Sequence, residues 1–231
     1  MPRAPQPNRL DESLADRLID AAEMLYATHG IAGASLRQIS TAAGTANNYA
    51  VQYHFRDVAG LIRGVLEKRM PEVERQRAAL LAKAKAAGLL SDLRTLNEAL
   101  YRPVIEYSNA RGERWFAGFV LALFSASDGM KYAAGTEQLA PVSEHILDLQ
   151  GAAIPAVPAA LLRERHRLIV IMILMSVCNR REPQSDELDT LVVDNAFDMA
   201  TAALSAPVSK SVRTLLKKKL SRSAQRQSSS R

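Results

Sequence analysis

Residues 45–56, Thr-Ala-Asn-Asn-Tyr-Ala-Val-Gln-Tyr-His-Phe-Arg, concentrate side chains suited to hydrogen-bonding a nucleic acid. The amides of Asn47, Asn48 and Gln52 can each donate and accept, as the adenine edge requires in the major groove. The hydroxyls of Thr45, Tyr49 and Tyr53 suit phosphate oxygens. His54 lies in the same run, and Arg37 and Arg56 add positive charge around it. No carboxylate occurs between residues 35 and 56, so nothing in this stretch repels phosphate. A plainer reading fits the same residues. Asn-Asn is a common turn former, and Val51 to Phe55 alternates like a short strand.

The elements that would position these groups are short helices. Ser35 and Gln38 form a capping-box pair, which predicts a helix starting at Leu36. Leu36, Ile39 and Ala43 give it a buried stripe, and Gly44 follows as its stop. A second helix is predicted from Thr45 or Ala46 to Tyr53, with Ala50 and Val51 inward. Phe55 returns to the core, and Asp57 suits the cap of the next helix. Upstream, Glu12 to His29 carries Leu14, Leu18, Ala21, Ala22 and Leu25 at helical spacing, and Gly30 ends it. Three short helices around one small core, the third polar on one face, make a tri-helical helix-turn-helix domain.

At these residues the chain resembles the TetR family of bacterial transcription regulators. The resemblance rests on Leu18 to Leu25, His29-Gly30, Ser35 to Ile39, Ala43-Gly44, Tyr53-His54-Phe55 and Leu61-Ile62. It covers roughly residues 14–66. The segment between the turn glycine and the phenylalanine is one residue longer than the family's usual form, which marks a subgroup. Where the family commonly places a lysine at the start of the fourth helix, this chain has Val58, with Arg56 nearby. The resemblance implies a homodimer that reads a palindromic site on double-stranded DNA and is released by a small-molecule effector.

Composition divides the chain further. The formal net charge is +6, but residues 1–69 hold eight basic and seven acidic residues, and residues 206–231 hold eight basic and none acidic. The excess therefore sits in the C-terminal tail. We read residues 1–9 as a flexible arm in which Arg3 and Arg9 can touch DNA. Residues 10–70 form the DNA-binding domain, 71–206 a ligand-binding and dimerisation domain, and 207–231 a basic, disordered tail able to make one or two amphipathic turns. The polar, proline-rich start does not read as a signal peptide. One cysteine, Cys178, excludes an internal disulfide and suggests a reducing, cytoplasmic setting. The apolar run Leu168 to Val177 is too short to span a membrane.

Beyond residue 70 the pattern is helical throughout, which makes the fold class all-α. Helices are predicted at 72–87, 91–108, 112–128, 139–150, 158–181 and 185–205, and Pro71 marks a kink or break in what otherwise reads as one long helix from Val58 to about Ala87. Residues 158–181 are apolar on nearly every side, and 185–205 carry one apolar stripe. Pairing of both with a second copy would bury them in a four-helix interface. Tyr101, Tyr107, Trp115, Phe116, Phe119, Phe124 and Met130 cluster within thirty residues. With Met172 and Met175 they suggest an apolar cavity for an apolar or amphipathic effector; the plainer reading is that the aromatic residues are core. Asn97, Glu98, Arg102 and Glu106 would add polar contacts if they point inward. The four histidines have no metal-ligand spacing, and Cys178 has no histidine near it in sequence. No catalytic motif, cofactor or metal site is expected. The resulting expectation is a ligand-responsive, DNA-binding repressor. An activator on the same scaffold, and a helical carrier with non-specific DNA affinity, are the alternatives the sequence leaves open.

Overall fold

The computed structural model describes residues 13–47, 49–109, 112–178, 186–216 and 218, with the side chains of Met130 and residues 186–189 left aside. Asn48, the arm at residues 1–9 and most of the basic tail lie outside the described residues, as does the predicted helix end at 179–181. The fold is all-α, and no strand occurs among the described residues. The helices are α1 Leu14–His29, α2 Leu36–Ala42, α3 Ala50–Phe55, α4 Val58–Ala86, α5 Leu93–Glu106, α6 Trp115–Ser125, α7 Gly129–Tyr132, α8 Pro141–Ala153, α9 Ala159–Cys178 and α10 Asp186–Ser205. A further helical stretch covers 210–216, and Val208 just before it is buried. No helix among the described residues is long and apolar enough to cross a membrane.

Local chemistry sets most helix starts. Ser13 accepts from the Asp16 amide, and the Ser35–Gln38 capping box closes in both directions. Asp57 and Asp92 accept from Gly60 N and Thr95 N at the starts of α4 and α5. Pro141 occupies the first turn of α8, where its missing N–H has no helical partner to lose.

Two elements depart from the sequence expectation. The second short helix begins at Ala50, not at Thr45 or Ala46. Thr45 Oγ1 accepts from Asn47 N, and Asn47 Oδ1 accepts from Tyr49 N at 2.9 Å. These side chains satisfy the amides that an earlier helix start would have used, so the chain stays in turns. Pro71 does not break α4, which runs unbroken to Ala86. A proline inside a helix costs about 3 kcal/mol, and buried contacts on both sides hold α4 helical. Before it, Arg69 bonds Asp20 and Glu23 of α1. After it, Arg77 donates to Leu100 O of α5 and Ser143 Oγ of α8, while Glu74 accepts from Val142 N and Ser143 N.

A single buried core runs from α1 through α4 and α6 to α9 and α10. Helices α1 and α6 approach closely, and a Cβ added at Gly118 would lie 2.8 Å from Ala27 Cβ. Arg165 near the start of α9 donates to Leu204 O near the end of α10 at 2.5 Å. The two last long helices are therefore an antiparallel pair.

Candidate nucleic-acid interface

Helix α3 is six residues long, too short to be stable alone. It is held by what it buries. Ala50 and Val51 are almost fully buried, and Phe55 packs back toward α4. The chain leaves α3 through a strained turn. Arg56 has φ 71° and ψ −52°, and Asp57 N donates to Phe55 O at 2.9 Å. That is a γ-turn of the rarer hand, a conformation costing about 1–3 kcal/mol for a residue with a side chain. The turn closes because Gly60 has no Cβ to collide with the Phe55 carbonyl. Gly64 leaves room for the Phe55 ring in the same way, since a Cβ there would approach it to 2.9 Å.

With Ala50 and Val51 inward, the polar residues face out. Arg37, Asn47, Gln52, His54 and Arg56 are exposed, and Thr45 is half-buried. Tyr49 is 71% and Tyr53 84% exposed. They lie one helical turn apart, and the Tyr53 and His54 rings meet edge to face at 5.0 Å. Two tyrosines this open on a six-residue helix add nothing to the core. Arg37, Asn47, Tyr49, Gln52, Tyr53, His54 and Arg56 are thus all open to solvent around α2 and α3, with Thr45 partly so. Their capacities differ. The Asn47 oxygen and the Thr45 hydroxyl are already used inside the turn. The Gln52 amide has no partner among the described residues, so both its donor and its acceptor are open to solvent.

A buried ion cluster and an aromatic seam tie this end of the molecule to the rest. Arg69 Nε donates to Glu23 Oε2 at 2.8 Å and its NH2 to Asp20 Oδ1 at 2.6 Å. Lys68 lies 2.9 Å from Asp20 and 3.0 Å from Asp16. Burial pushes the Glu23 carboxyl above its ordinary range, against the pull of Arg69. The Arg69 guanidinium also covers the Tyr107 ring at 5.8 Å. From there the rings continue inward: Tyr107 to Phe116 at 5.3 Å, Phe116 to Phe119 at 5.9 Å and Phe119 to Tyr26 of α1 at 6.2 Å.

That seam redistributes the residues expected around an effector. Tyr107, Phe116 and Phe119 pack as core between α1 and α6. Trp115 and Met172 are half-buried, and Met175 is exposed on α9. Tyr101 points elsewhere, toward His166. Of the four α5 residues expected to supply polar contacts, only Asn97 is buried. Glu98, Arg102 and Glu106 join Arg94, Asp194 and Asp198 in an outer ion lattice between α5 and α10.

A buried polar group escaped the sequence reading. Gln150 Nε2 donates to Asn97 Oδ1 at 2.9 Å, and Asn97 Nδ2 to Thr201 Oγ1 at 3.1 Å. The Tyr101 hydroxyl lies 3.3 Å from His166 Nδ1. The available signal was a polar residue on an apolar stripe: Gln150 follows Val142 and Ile146 at four-residue spacing. Burial holds the His166 imidazole down to about 4. The unfolded chain takes up this proton near pH 6.5, the folded chain only near 4. Stability is therefore full above about pH 6.5 and falls as pH drops toward 4, by up to about 3 kcal/mol. His166→Phe is expected to flatten this acid dependence in urea denaturation at pH 7 and pH 5; an unchanged slope would contradict it. No family model matches this chain, and no curated protein matches its sequence.

Proposed function

We propose that this chain is a sequence-specific, DNA-binding transcription regulator of the TetR type. It acts as a homodimer whose hold on a palindromic operator is weakened by a small-molecule effector. The observation that carries this reading is the outward face of residues 45–56, polar, free of carboxylates and open at Tyr49 and Tyr53. A short helix whose apolar side is buried and whose amide-bearing side is open can enter a major groove. Gln52 is the base reader, Arg37 and Arg56 meet phosphates, and the two tyrosines flank the contact.

The dimer part of the proposal rests on α9 and α10. Leu168 and Met175 of α9 and Leu191 and Met199 of α10 are 45–62% exposed. The same two helices of a second copy would cover them and set two α3 helices apart for two half-sites. The effector part follows from the continuous core, because a ligand held between α5, α8 and α9 touches helices packed against α4 and α6, and these two pack against α1. Such a ligand shifts DNA affinity by its differential affinity for the two arrangements.

Gln52→Ala is expected to weaken operator binding by about 1–3 kcal/mol and to leave binding to random duplex almost unchanged. Fluorescence anisotropy on the two DNAs at one salt concentration checks this. Equal losses on both would remove Gln52 as a base reader.

A further inference from the structure

Among the described residues four buried side-chain atoms have no hydrogen-bond partner, Tyr26 Oη, Ser40 Oγ, Gln150 Oε1 and His166 Nε2, and the last two lie on helices packed around α5. They belong to two polar contacts on one face of α5. Asn97, fully buried, meets Gln150 of α8; Tyr101, one turn on and 5% exposed, meets His166 of α9. Helices α8 and α9 also touch here, since a Cβ at Gly151 would lie 3.4 Å from Leu162 Cδ2. Asn97 and Tyr101, the α5 partners of these two residues, are four residues apart, about 6 Å at the helical rise.

The hydrogen-bond direction in this cluster is fixed. Thr201 donates to Phe197 O, Asn97 donates to Thr201, and Gln150 donates to Asn97. The chain ends on Gln150 Oε1, which can only accept. At the other end, the single Tyr101 proton is used if it goes to His166 Nδ1. That tautomer puts the imidazole proton on Nε2, which then donates. The buried charges Arg77 and Glu74 satisfy each other and the backbone, and burial keeps His166 neutral. An ion entering here would find that buried pair already matched.

We propose that Gln150 and His166 form the polar ends of a binding site for a small uncharged molecule with a hydrogen-bond donor and an acceptor on an apolar body. Gln150 takes the donor, His166 Nε2 gives to the acceptor, and the apolar part lies along α5. This deepens the effector part of the function proposed above by naming the class of ligand and the atoms that hold it.

The test uses the full chain without DNA, so it is separate from the operator measurement. The probe is 4-hydroxyacetophenone, whose hydroxyl and carbonyl sit at opposite ends of an apolar ring. The controls are 4-methylacetophenone, which lacks the donor, and 4-hydroxybenzoate, which is charged. Calorimetry gives affinity, and nitrogen NMR of the His166 imidazole reports contact. The probe is expected to bind at least tenfold more tightly than either control and to shift the His166 Nε2 resonance. Gln150→Leu and His166→Phe should each weaken it at least tenfold. Selectivity among the three compounds is read on the unaltered chain, so it holds even where a variant fails to fold. A probe that does not bind at millimolar concentration, binds no better than its controls, or binds the variants equally would overturn the proposal. Probe binding without operator binding would refute the regulator and keep this site; the reverse would refute this site alone.

Discussion

Replacing Arg69 with methionine is expected to destabilise the folded chain by about 3–5 kcal/mol. Arg69 and Glu23 are 5% and 2% exposed, and Arg69 donates to both Glu23 and Asp20. Without the guanidinium, Glu23 becomes a buried carboxylate with no cation beside it. Lys68 stays with Asp16 and Asp20, nearer the surface. The sign of the pH dependence follows. Burial already raises the Glu23 carboxyl, and loss of Arg69 raises it further. Folding then favours the protonated acid, so the penalty is full at neutral pH and shrinks as pH falls through the folded-state value. Adding Glu23→Gln removes the stranded charge, and the double variant should recover most of the loss. Urea denaturation of the three variants at pH 7 checks this. A loss below about 1 kcal/mol in Arg69→Met would mean the cluster does not join α1 to α4.

The second large effect concerns the open face of the α9–α10 pair. Leu168→Glu combined with Leu191→Glu should turn a dimer into a monomer at micromolar concentration. Each leucine is about 60% exposed in the single chain and would be covered in both copies of a two-fold pair. Burying such a side chain is worth roughly 1.5–3 kcal/mol. Losing two per copy and burying charge in their place should weaken association at least a hundredfold. Sedimentation velocity separates the two states. Thermal denaturation of the variant should lose the concentration dependence that association gives the parent, while the single chain still melts cooperatively because the substitutions lie outside its core. A monomeric parent, or a variant that stays dimeric, would contradict this interface.

Short-range chemistry was the legible part of this fold. The capping residues Ser35, Gln38 and Asp57 lie within three positions of the amides they meet, and all three do what their spacing implies. Of a kink or a break at Pro71 the break is ruled out, because the bonds that hold α4 helical on both sides of it come from Asp20, Leu100 and Ser143, none of them near it in sequence. The aromatic cluster was legible as a cluster but not as a seam, since its inner partner, Tyr26, lies some ninety positions away in α1. At the candidate interface the outward set was legible from Ala50 and Val51, which fix the buried side of α3. The local turn at Thr45 and Asn47 was not. It needs a side chain to win a backbone amide from the helix by a margin that residue types alone do not reveal.

The central claim is that residues 45–56 read base sequence. It is tested by selecting the purified full chain against random DNA duplexes at near-physiological salt and sequencing the bound pool. The account predicts one enriched palindrome whose half-sites lose contrast in Gln52→Ala. A pool with no motif, bound strongly but in a salt-sensitive way, would show that charge alone holds DNA, and would contradict it.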